Sequence, residues 1–266
     1  MKIDSISSTQ LNMISRCPQQ YYYRYVMKLK IPPAGNLIQG RVYHKMTERN
    51  YSQKITSGND LKISDLKDIY VAEYEMAVNS QEIAWQNLSE KSKLKDEGVA
   101  YSELFGKEIS PAVIPARVEE RAQVEINYIS KEGKKESILL VAVFDLIDTE
   151  IKIIDQKLKS KSPTQSELDK DIQMGIYSMF YRLKYGEQEK CLVWDTIVKN
   201  KEPVYRRVIS VRGDNEVQWL RQKLIAPSIA MIEHEIFPAY PNGYNCDPRY
   251  CGYYDRCRKG TKKFLI

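Results

Sequence analysis

Two apolar segments near the middle of the chain carry charged residues where a strand core is expected to be purely apolar. The first, ESILLVAVFDLID, is apolar without interruption from Ile138 to Phe144 and then reaches Asp145. The second, EIKIIDQKL, holds Asp155 and Lys157. Apolar runs of this length predict buried strands, and a turn near residue 150 would join them as a hairpin. Because an isolated buried charge costs several kcal/mol, these carboxylates need a partner.

The spacing predicts that the charged residues meet. If the hairpin is symmetric about residue 150, Asp145 and Asp155 lie opposite each other with Cβ atoms roughly 5 Å apart. Asp155 and Lys157 are two residues apart on one strand, so they share a face in any register. Facing carboxylates repel unless a cation lies between them, so the pattern predicts a divalent-metal site. A buried Asp–Lys ion pair, with the second Asp at a strand end, is the purely structural alternative.

The order of predicted elements is helices, strands, a helix, strands and a helix, which is typical of an α/β or α+β sheet covered by helices. With 266 residues and 42% hydrophobic residues, the chain is long enough for one large domain over 1–266. Residues 51–112 are predicted to be a helical insertion, and 237–266 a cysteine-rich tail. The segment TQSELDKDIQMGIYSMFYRLKYG predicts one long helix that ends at Gly186.

Net charge and hydropathy limit the classes of partner that the protein is expected to have. A net charge of +6 and a pI near 8.8 suit an anionic partner such as nucleic acid without requiring one. The longest apolar run, Ile138–Phe144, is far too short to span a membrane. The first residues, MKIDSISSTQ, lack the apolar core of a signal peptide. We therefore expect no membrane association and a cytoplasmic location.

The five cysteines are informative through their placement. Cys246, Cys251 and Cys257 crowd the C-terminal tail, and Cys17 lies at a predicted elbow between two helices. An odd number of cysteines without an export signal argues against a disulfide framework and leaves metal binding or burial. Thiolates spaced Cys-x4-Cys-x5-Cys can converge on one metal centre, with Cys17 as a fourth ligand. Cys191, on a predicted core strand, is expected to be a small buried residue.

The motifs, taken in order, resemble the PD-(D/E)XK nuclease superfamily, and more closely its RecB-like branch, which includes CRISPR-associated and AddB-type exonucleases. Asp145 followed by Asp155-x-Lys157 on the next strand matches the motif of the superfamily. Two positions depart from the usual pattern, since Ala142 replaces a glycine and Leu158 replaces a threonine. Further motifs of the branch, Gly-x-x-x-His, Gln-x-x-x-Tyr and Ser-x-Leu…Cys-Pro-x-x-Tyr, are matched by Gly40 and His44, by Gln173 and Tyr177, and by Thr9, Leu11, Cys17, Pro18 and Tyr21.

The resemblance implies a restriction-endonuclease-like central mixed sheet flanked by helices, and a metal-dependent nuclease site. His44, Asp145, Asp155 and the carbonyl oxygen of Gln156 would hold Mg²⁺ or Mn²⁺, which prefer oxygen ligands and retain water. Lys157 would orient or deprotonate the attacking water and offset negative charge in the transition state.

Three further residues receive roles from the same resemblance. A glutamate on the preceding strand often assists in the family, and of Glu119 and Glu120, both in place, we favour Glu120. Gln173 and Tyr177, one helical turn apart, would contact DNA or the metal-bound phosphate. The competing interpretation is that this pair is ordinary helix surface.

RecB-like nucleases with this cysteine layout carry a 4Fe–4S cluster. The resemblance therefore implies that Cys17, Cys246, Cys251 and Cys257 hold such a cluster and pin the C-terminal tail to the N-terminal helix. The first spacing has four residues where two are common, so zinc is the rival metal.

The function expected from the sequence is a metal-dependent DNA nuclease, an exonuclease that acts on single-stranded DNA or DNA ends. The alternative is a non-catalytic DNA-binding or scaffold module of a recombination complex with a structural metal cluster. Intact Asp145, Asp155 and Lys157 favour the enzyme, because a degenerate module would be expected to lose at least one of them. Recombination, phage or CRISPR partner proteins are all compatible with the chain, and the sequence does not indicate its oligomeric state.

Overall fold

A computed structural model describes residues 4–259 of the chain. Within that range no helix is both long and apolar enough to cross a membrane. Short π-helical turns follow α2, α5 and α8. The α-helices are α1 (Ser8–Arg16), α2 (Pro18–Tyr21), α3 (Gly35–Ser57), α4 (Ile63–Asn79), α5 (Glu90–Leu104), α6 (Gln165–Asp169), α7 (Ile172–Tyr185), α8 (Asp214–Leu220), α9 (Ala226–Glu233) and α10 (Tyr254–Lys259).

The strands form a mixed sheet with the hydrogen-bonded order β1-β3-β4-β5-β6, and β2 pairs with β3. β1 runs parallel to β3, and β4 runs parallel to β5, whereas β3–β4 and β5–β6 are antiparallel. The predicted α/β architecture, a central mixed sheet flanked by helices, is confirmed. The strands are β1 (Ser5–Ser7), β2 (Pro115–Ile129), β3 (Lys135–Asp148), β4 (Lys152–Lys159), β5 (Cys191–Val198) and β6 (Val204–Ser210).

The described residues divide into two compact units, and β2 and β3 run from one into the other. The first unit comprises residues 4–31, 123–142 and 215–259. In it, Cys17 ends α1 and precedes α2, with Pro18 in the first turn, so the predicted elbow is confirmed. Of the predicted tail, residues 260–266 lie outside the described range, as do residues 1–3 at the other end.

The second unit comprises residues 32–122 and 143–214. Helices α3, α4 and α5 pack on one another around buried aromatic side chains. At Gly98 the packing is so close that an added Cβ would lie 2.0 Å from the hydroxyl of Tyr70. The helical character predicted for residues 51–112 is confirmed, whereas their status as an insertion in a single domain stays a prediction.

The segment predicted to be one long helix is two helices. α6 ends at Asp169, and α7 begins anew after Asp171, whose carboxylate accepts a hydrogen bond from the backbone N–H of Met174 at 2.8 Å. Asp is a strong N-cap because its side chain satisfies a backbone donor that the helix leaves free, so Asp171 favours a new start. The predicted end at Gly186 is confirmed, with φ of +71°.

Candidate active site

The register of the β3–β4 hairpin brings two carboxylates together. The hairpin is symmetric about residue 150, as predicted, and this register sets Asp145 of β3 opposite Asp155 of β4. Neither side chain could reach the other if the register slipped by one residue, because alternate residues point to opposite faces. The paired positions are Leu146 with Ile154 and Ile147 with Ile153.

A histidine from α3 completes this group. His44 Nδ1 lies 3.2 Å from Oδ2 of Asp145. One ligand atom each from His44, Asp145 and Asp155 lies within 4.8 Å of the other two, and this is the single such group of metal-ligating side chains in residues 4–259. Burial would lower the pKa of His44, but the hydrogen bond and charge of Asp145 outweigh it and raise that pKa.

The two carboxylates have the chemistry of an oxygen-rich cation site. Asp155 is fully buried; its Oδ2 has the ammonium of Lys157 as its close partner, and its Oδ1 has no hydrogen-bond partner among the described residues. Burial, reinforced by the charge of Asp145, raises the pKa of Asp155, although Lys157 opposes the shift. Burial alone would raise the pKa of Asp145, but the hydrogen bond and charge of His44, together with Asp155 and Lys157, outweigh it and lower that pKa. Because two close carboxylates, one with an unpartnered buried oxygen, and one imidazole suit a divalent cation, the residues present fit Mg²⁺ or Mn²⁺.

Lys157 stands beside the carboxylates as predicted from its spacing. Its Nζ lies 2.5 Å from Oδ2 of Asp155 and donates to Oε1 of Gln173 at 3.3 Å. Burial alone would lower the pKa of Lys157, but the negative charge of Asp155 more than compensates and raises it. The lysine is therefore a cation at neutral pH in the described structure.

Gln173 and Tyr177 of α7 take different positions. Gln173 Nε2 donates to the hydroxyl oxygen of Tyr177 at 2.8 Å, while its Oε1 faces Lys157. Tyr177 is only 3% exposed and its ring packs against Phe144, so it is not helix surface. The structure therefore brings Gln173 to the candidate site and places Tyr177 beneath it as a support.

Of the two glutamates on β2, the structure brings Glu119 and not Glu120 to the site. Glu120 forms an ion pair with Lys184 and accepts a hydrogen bond from Tyr185, and these contacts outweigh burial and lower its pKa. Desolvation of the Glu119 carboxyl, reinforced by the charge of Asp145, raises the pKa of Glu119 to about 7. The preference for Glu120 as the assisting residue stays a prediction, and Glu119 is the glutamate whose pKa responds to Asp145 and His44.

Gln156 lies between Asp155 and Lys157 and points to the other face of the sheet. Its Nε2 donates to the hydroxyl oxygen of Tyr51 of α3 at 3.0 Å, whereas Lys157 contacts Gln173 of α7. Whether its backbone carbonyl ligates a metal stays a prediction.

A fully buried carboxylate on β5, which the sequence analysis did not single out, lies next to Gln156. Asp195 pairs with Gln156 in register and accepts two hydrogen bonds from Arg207, at 2.7 and 2.8 Å. The signal that identified Asp155, a carboxylate inside an apolar strand, also occurs in KCLVWDTIV and could have found it. Here the carboxylate is paired with side chains of β6, which indicates a structural role in holding β6 against β5.

Gly40 lies one turn before His44 on α3, as expected from the sequence. An added Cβ at Gly40 would meet no atom within 4 Å outside its own helix backbone. Protein packing therefore does not account for a glycine at this helical position, where alanine is the better helix former.

The four predicted cluster cysteines line one cavity of the first unit. Gln20 Nε2 lies 3.2 Å from Sγ of Cys251, and burial together with the nearby thiol of Cys17 raises the pKa of Cys257. Among the described residues no three cysteine sulfurs lie within 4.8 Å of one another, so the thiols do not form a compact single-ion site. Cys191 is buried in the core of the second unit, as predicted.

The fold and this constellation define an α/β protein with a candidate cation site formed by two facing carboxylates and a histidine, with Lys157 next to the carboxylates. The family model of the PD-(D/E)XK nuclease superfamily matches residues 5–258. The chain belongs to the PD-(D/E)XK nuclease superfamily, a family whose substrates are nucleic acids.

A solved structure with a TM-score above 0.5 agrees with the fold. A protein from Eubacterium rectale, provisionally described as an exonuclease, is 12% identical with a TM-score of 0.55, and the match covers 99% of this chain and 91% of that one. At this identity the likeness shows the fold alone. The crystal structure of SSO0001 is 13% identical with a TM-score of 0.42, covering 97% of this chain and 87% of that one. No curated protein sequence matches the chain significantly.

Proposed function

We propose that the protein is a Mg²⁺- or Mn²⁺-dependent deoxyribonuclease of the RecB-like branch. The observation that carries the proposal is the group formed by His44, Asp145 and Asp155, with Lys157 held beside it. Asp155 is a fully buried carboxylate with one oxygen beside Lys157 and the other unpartnered among the described residues, and such a group is costly in a folded protein unless a ligand compensates for it.

The roles of the residues follow from their positions. His44, Asp145, Asp155 and the backbone carbonyl of Gln156 would hold the cation, which supplies an activated water and polarises the phosphate when bound. Protonated Lys157 lies next to this position and offsets the negative charge that develops on the phosphate oxygens in the transition state.

Two further side chains support the reaction. Glu119, whose pKa is raised by its own desolvation and by the charge of Asp145, would add negative charge to the cation site in place of the expected Glu120. Gln173 presents its amide between Lys157 and Tyr177, where it orients the lysine and lies within reach of a phosphate. Tyr177 acts through Gln173 rather than by contact with DNA.

For the substrate we propose single-stranded DNA or DNA ends, cleaved by an exonuclease activity. The net charge of +6 favours a polyanion. The open space at Gly40, one turn from His44, gives a strand room to approach the site closely. Protein partners from recombination, phage or CRISPR systems and a cytoplasmic location stay predictions.

For the cysteines we propose a 4Fe–4S cluster held by Cys17, Cys246, Cys251 and Cys257. All four line one cavity, which supports a shared ligand. A single tetrahedral zinc ion with Zn–S bonds of about 2.3 Å would bring its sulfurs within about 4 Å of one another. Among the described residues no three of these thiols lie within 4.8 Å of one another, and the choice between the cluster and zinc stays a prediction.

The activity is tested with end-labelled single- and double-stranded oligonucleotides, and with closed circular single-stranded DNA, in Mg²⁺ or Mn²⁺. Blocks at the 5′ or 3′ end determine polarity. We expect stepwise shortening of linear DNA, no cleavage of circles, and no activity for Asp155→Asn. Cleavage of circles would replace the exonuclease by an endonuclease. Tight binding of DNA without cleavage in either metal would overturn the enzyme and leave a binding or scaffold module.

A further inference from the structure

A second lysine lies on the same face of β4 as the candidate catalytic residues. Because side chains alternate along a strand, Asp155, Lys157 and Lys159 point to one side of the sheet. The register with β5 places Trp194 beside Asp155 and Thr196 beside Lys157 on this face. The hydroxyl of Thr196 and the indole nitrogen of Trp194 are buried and make no hydrogen bond in the described structure.

The ammonium group of Lys159 is held in position by an aromatic ring. Its Nζ lies 3.6 Å from the ring centroid of Trp194, within the range of a cation–π interaction. Trp194 is only 3% exposed, so the ring is fixed by the core and cannot stack on a base. The contact with Trp194 therefore holds the charge of Lys159 in a defined position on the same face of β4 as Lys157.

Among residues 4–259, Lys159 has no anionic partner closer than 3.9 Å. The carboxylate within ion-pair range, Glu167, is 3.9 Å away, and the same oxygen accepts a hydrogen bond from the backbone N–H of Thr164 at 2.9 Å. Glu167 is thereby committed to the capping box that starts α6. Burial lowers the pKa of Lys159 even though Glu167 opposes the shift, so the ammonium is partly desolvated and poorly compensated.

We propose that Lys159 binds the phosphate next to the scissile phosphate, which makes it a substrate-binding residue of the site. Two residues along a strand are about 6.7 Å apart, which is close to one phosphate step along a DNA strand. With Lys157 at the scissile phosphate, Lys159 would then meet its neighbour and hold the backbone along β4. This inference rests on the proposed function for the placement of Lys157. Because the ligand is a phosphate, the contact favours no base.

The test compares Lys159→Met with Lys161→Met, which removes an exposed charge two residues further along the chain. Binding of a single-stranded oligonucleotide is measured in Ca²⁺ over a range of salt concentrations. Lys159→Met should bind about tenfold more weakly, and the slope of log K against log salt should fall by about 1. Lys161→Met should change the affinity less than twofold, and Lys159→Arg, which keeps the charge, should retain most of it.

A scan with neutral methylphosphonate linkages, introduced one at a time, identifies the phosphate. Wild type should lose affinity at one linkage to which Lys159→Met is insensitive, while both proteins respond alike elsewhere. Equal responses at every linkage, or equal losses for the two Met variants, would overturn the proposal. The assay needs no turnover, so a protein that binds in this pattern but never cleaves would refute the nuclease and keep the phosphate contact.

Discussion

Lys157 reaches back along its own strand, so that its Nζ lies 2.5 Å from Oδ2 of Asp155. The two residues share a face of β4, and Gln173 meets the lysine from α7. This contact sets the position of the ammonium and keeps it protonated at neutral pH. Burial still makes the Asp155 carboxylate costly to ionise, as its raised pKa indicates, and a divalent cation would relieve that cost.

Replacing Lys157 with Met should abolish cleavage and spare binding. The lysine acts on charge that develops in the transition state, whereas binding depends on many phosphate contacts. We expect kcat to fall at least a hundredfold, with the affinity for single-stranded DNA in Ca²⁺ changed by no more than a few fold. Lys161→Met serves as the control and should cleave normally. Wild-type kcat for Lys157→Met at saturating Mn²⁺ would refute the assignment.

The two glutamates of β2 offer a matched pair. Glu119→Gln removes a negative charge beside Asp145, so the Mn²⁺ concentration for half-maximal cleavage should rise several fold. Glu120→Gln removes an ion pair with Lys184, which is not one of the residues proposed to hold the cation. It should leave the half-maximal Mn²⁺ concentration unchanged. The measurement is a metal titration of cleavage rate for both variants. If the two respond equally, Glu119 has no special place in the site.

The sequence could not decide between these glutamates because the backbone breaks the alternation of β2 at this point. Glu119 has a φ of +48°, in the left-handed region that non-glycine residues rarely adopt. Counting alternate residues along the strand therefore fails there. By contrast, the symmetry of the β3–β4 hairpin was readable, because apolar runs of similar length flank one tight turn and fix the register of Asp145 and Asp155.

Two other differences between the sequence-based prediction and the structure depend on side-chain contacts. The break before α7 depends on the N-cap that Asp171 provides. An Asp within a periodic apolar pattern does not by itself indicate that a new helix begins. The burial of Tyr177 depends on its packing against Phe144 from a distant strand, which no local pattern contains. Motif spacing located the site, whereas contacts between distant segments decided which residues face it.

Gly40 and Gly98 are both helical glycines, with opposite surroundings. Gly40→Ala should raise the free energy of unfolding by about 0.5–1 kcal/mol, since alanine is the better helix former and the added methyl meets open space. The same methyl should hinder DNA near His44 and lower the cleavage rate. Gly98→Ala should destabilise the protein because Tyr70 occupies the space. Denaturant unfolding and cleavage assays of both variants check this, and full activity of Gly40→Ala would argue against close approach of DNA.

Asp60 should make stability depend on pH. Its carboxylate accepts hydrogen bonds from Asn50 at 2.9 Å, from Lys54 at 2.8 Å and from Ser110, which outweigh burial and lower its pKa. The stabilisation is therefore present above the unfolded pKa of about 3.9 and lost as pH falls through the lower folded value. The group is partly exposed, so we expect at most about 1 kcal/mol.

The check on Asp60 is the difference in unfolding free energy between wild type and Asp60→Asn from pH 6 to pH 2. That difference should be largest near pH 6 and should shrink below about pH 4. A difference that is constant over this range would show that the charge of Asp60 contributes nothing.

The cysteines provide the last prediction. If Cys17, Cys246, Cys251 and Cys257 hold a 4Fe–4S cluster, protein purified without oxygen should be brown and contain iron and acid-labile sulfide in near-equal amounts. The cluster would join chain segments more than 200 residues apart, and closing so long a loop stabilises the folded state. Replacing any one of the four with Ala should therefore remove iron and lower the melting temperature.

Cys191→Ala is the matched control, because Cys191 is buried in the other unit. This variant should keep the iron of the cluster and lose only a little stability from the smaller side chain. Since the cluster takes no part in hydrolysis, the activity of each variant should fall only in proportion to its loss of folded protein. One zinc per chain without iron in anaerobic preparations would replace the cluster by a zinc site. Four freely reactive thiols in a metal-free native protein would show that the cavity holds no metal, and the tail would then be attached by packing and hydrogen bonds alone.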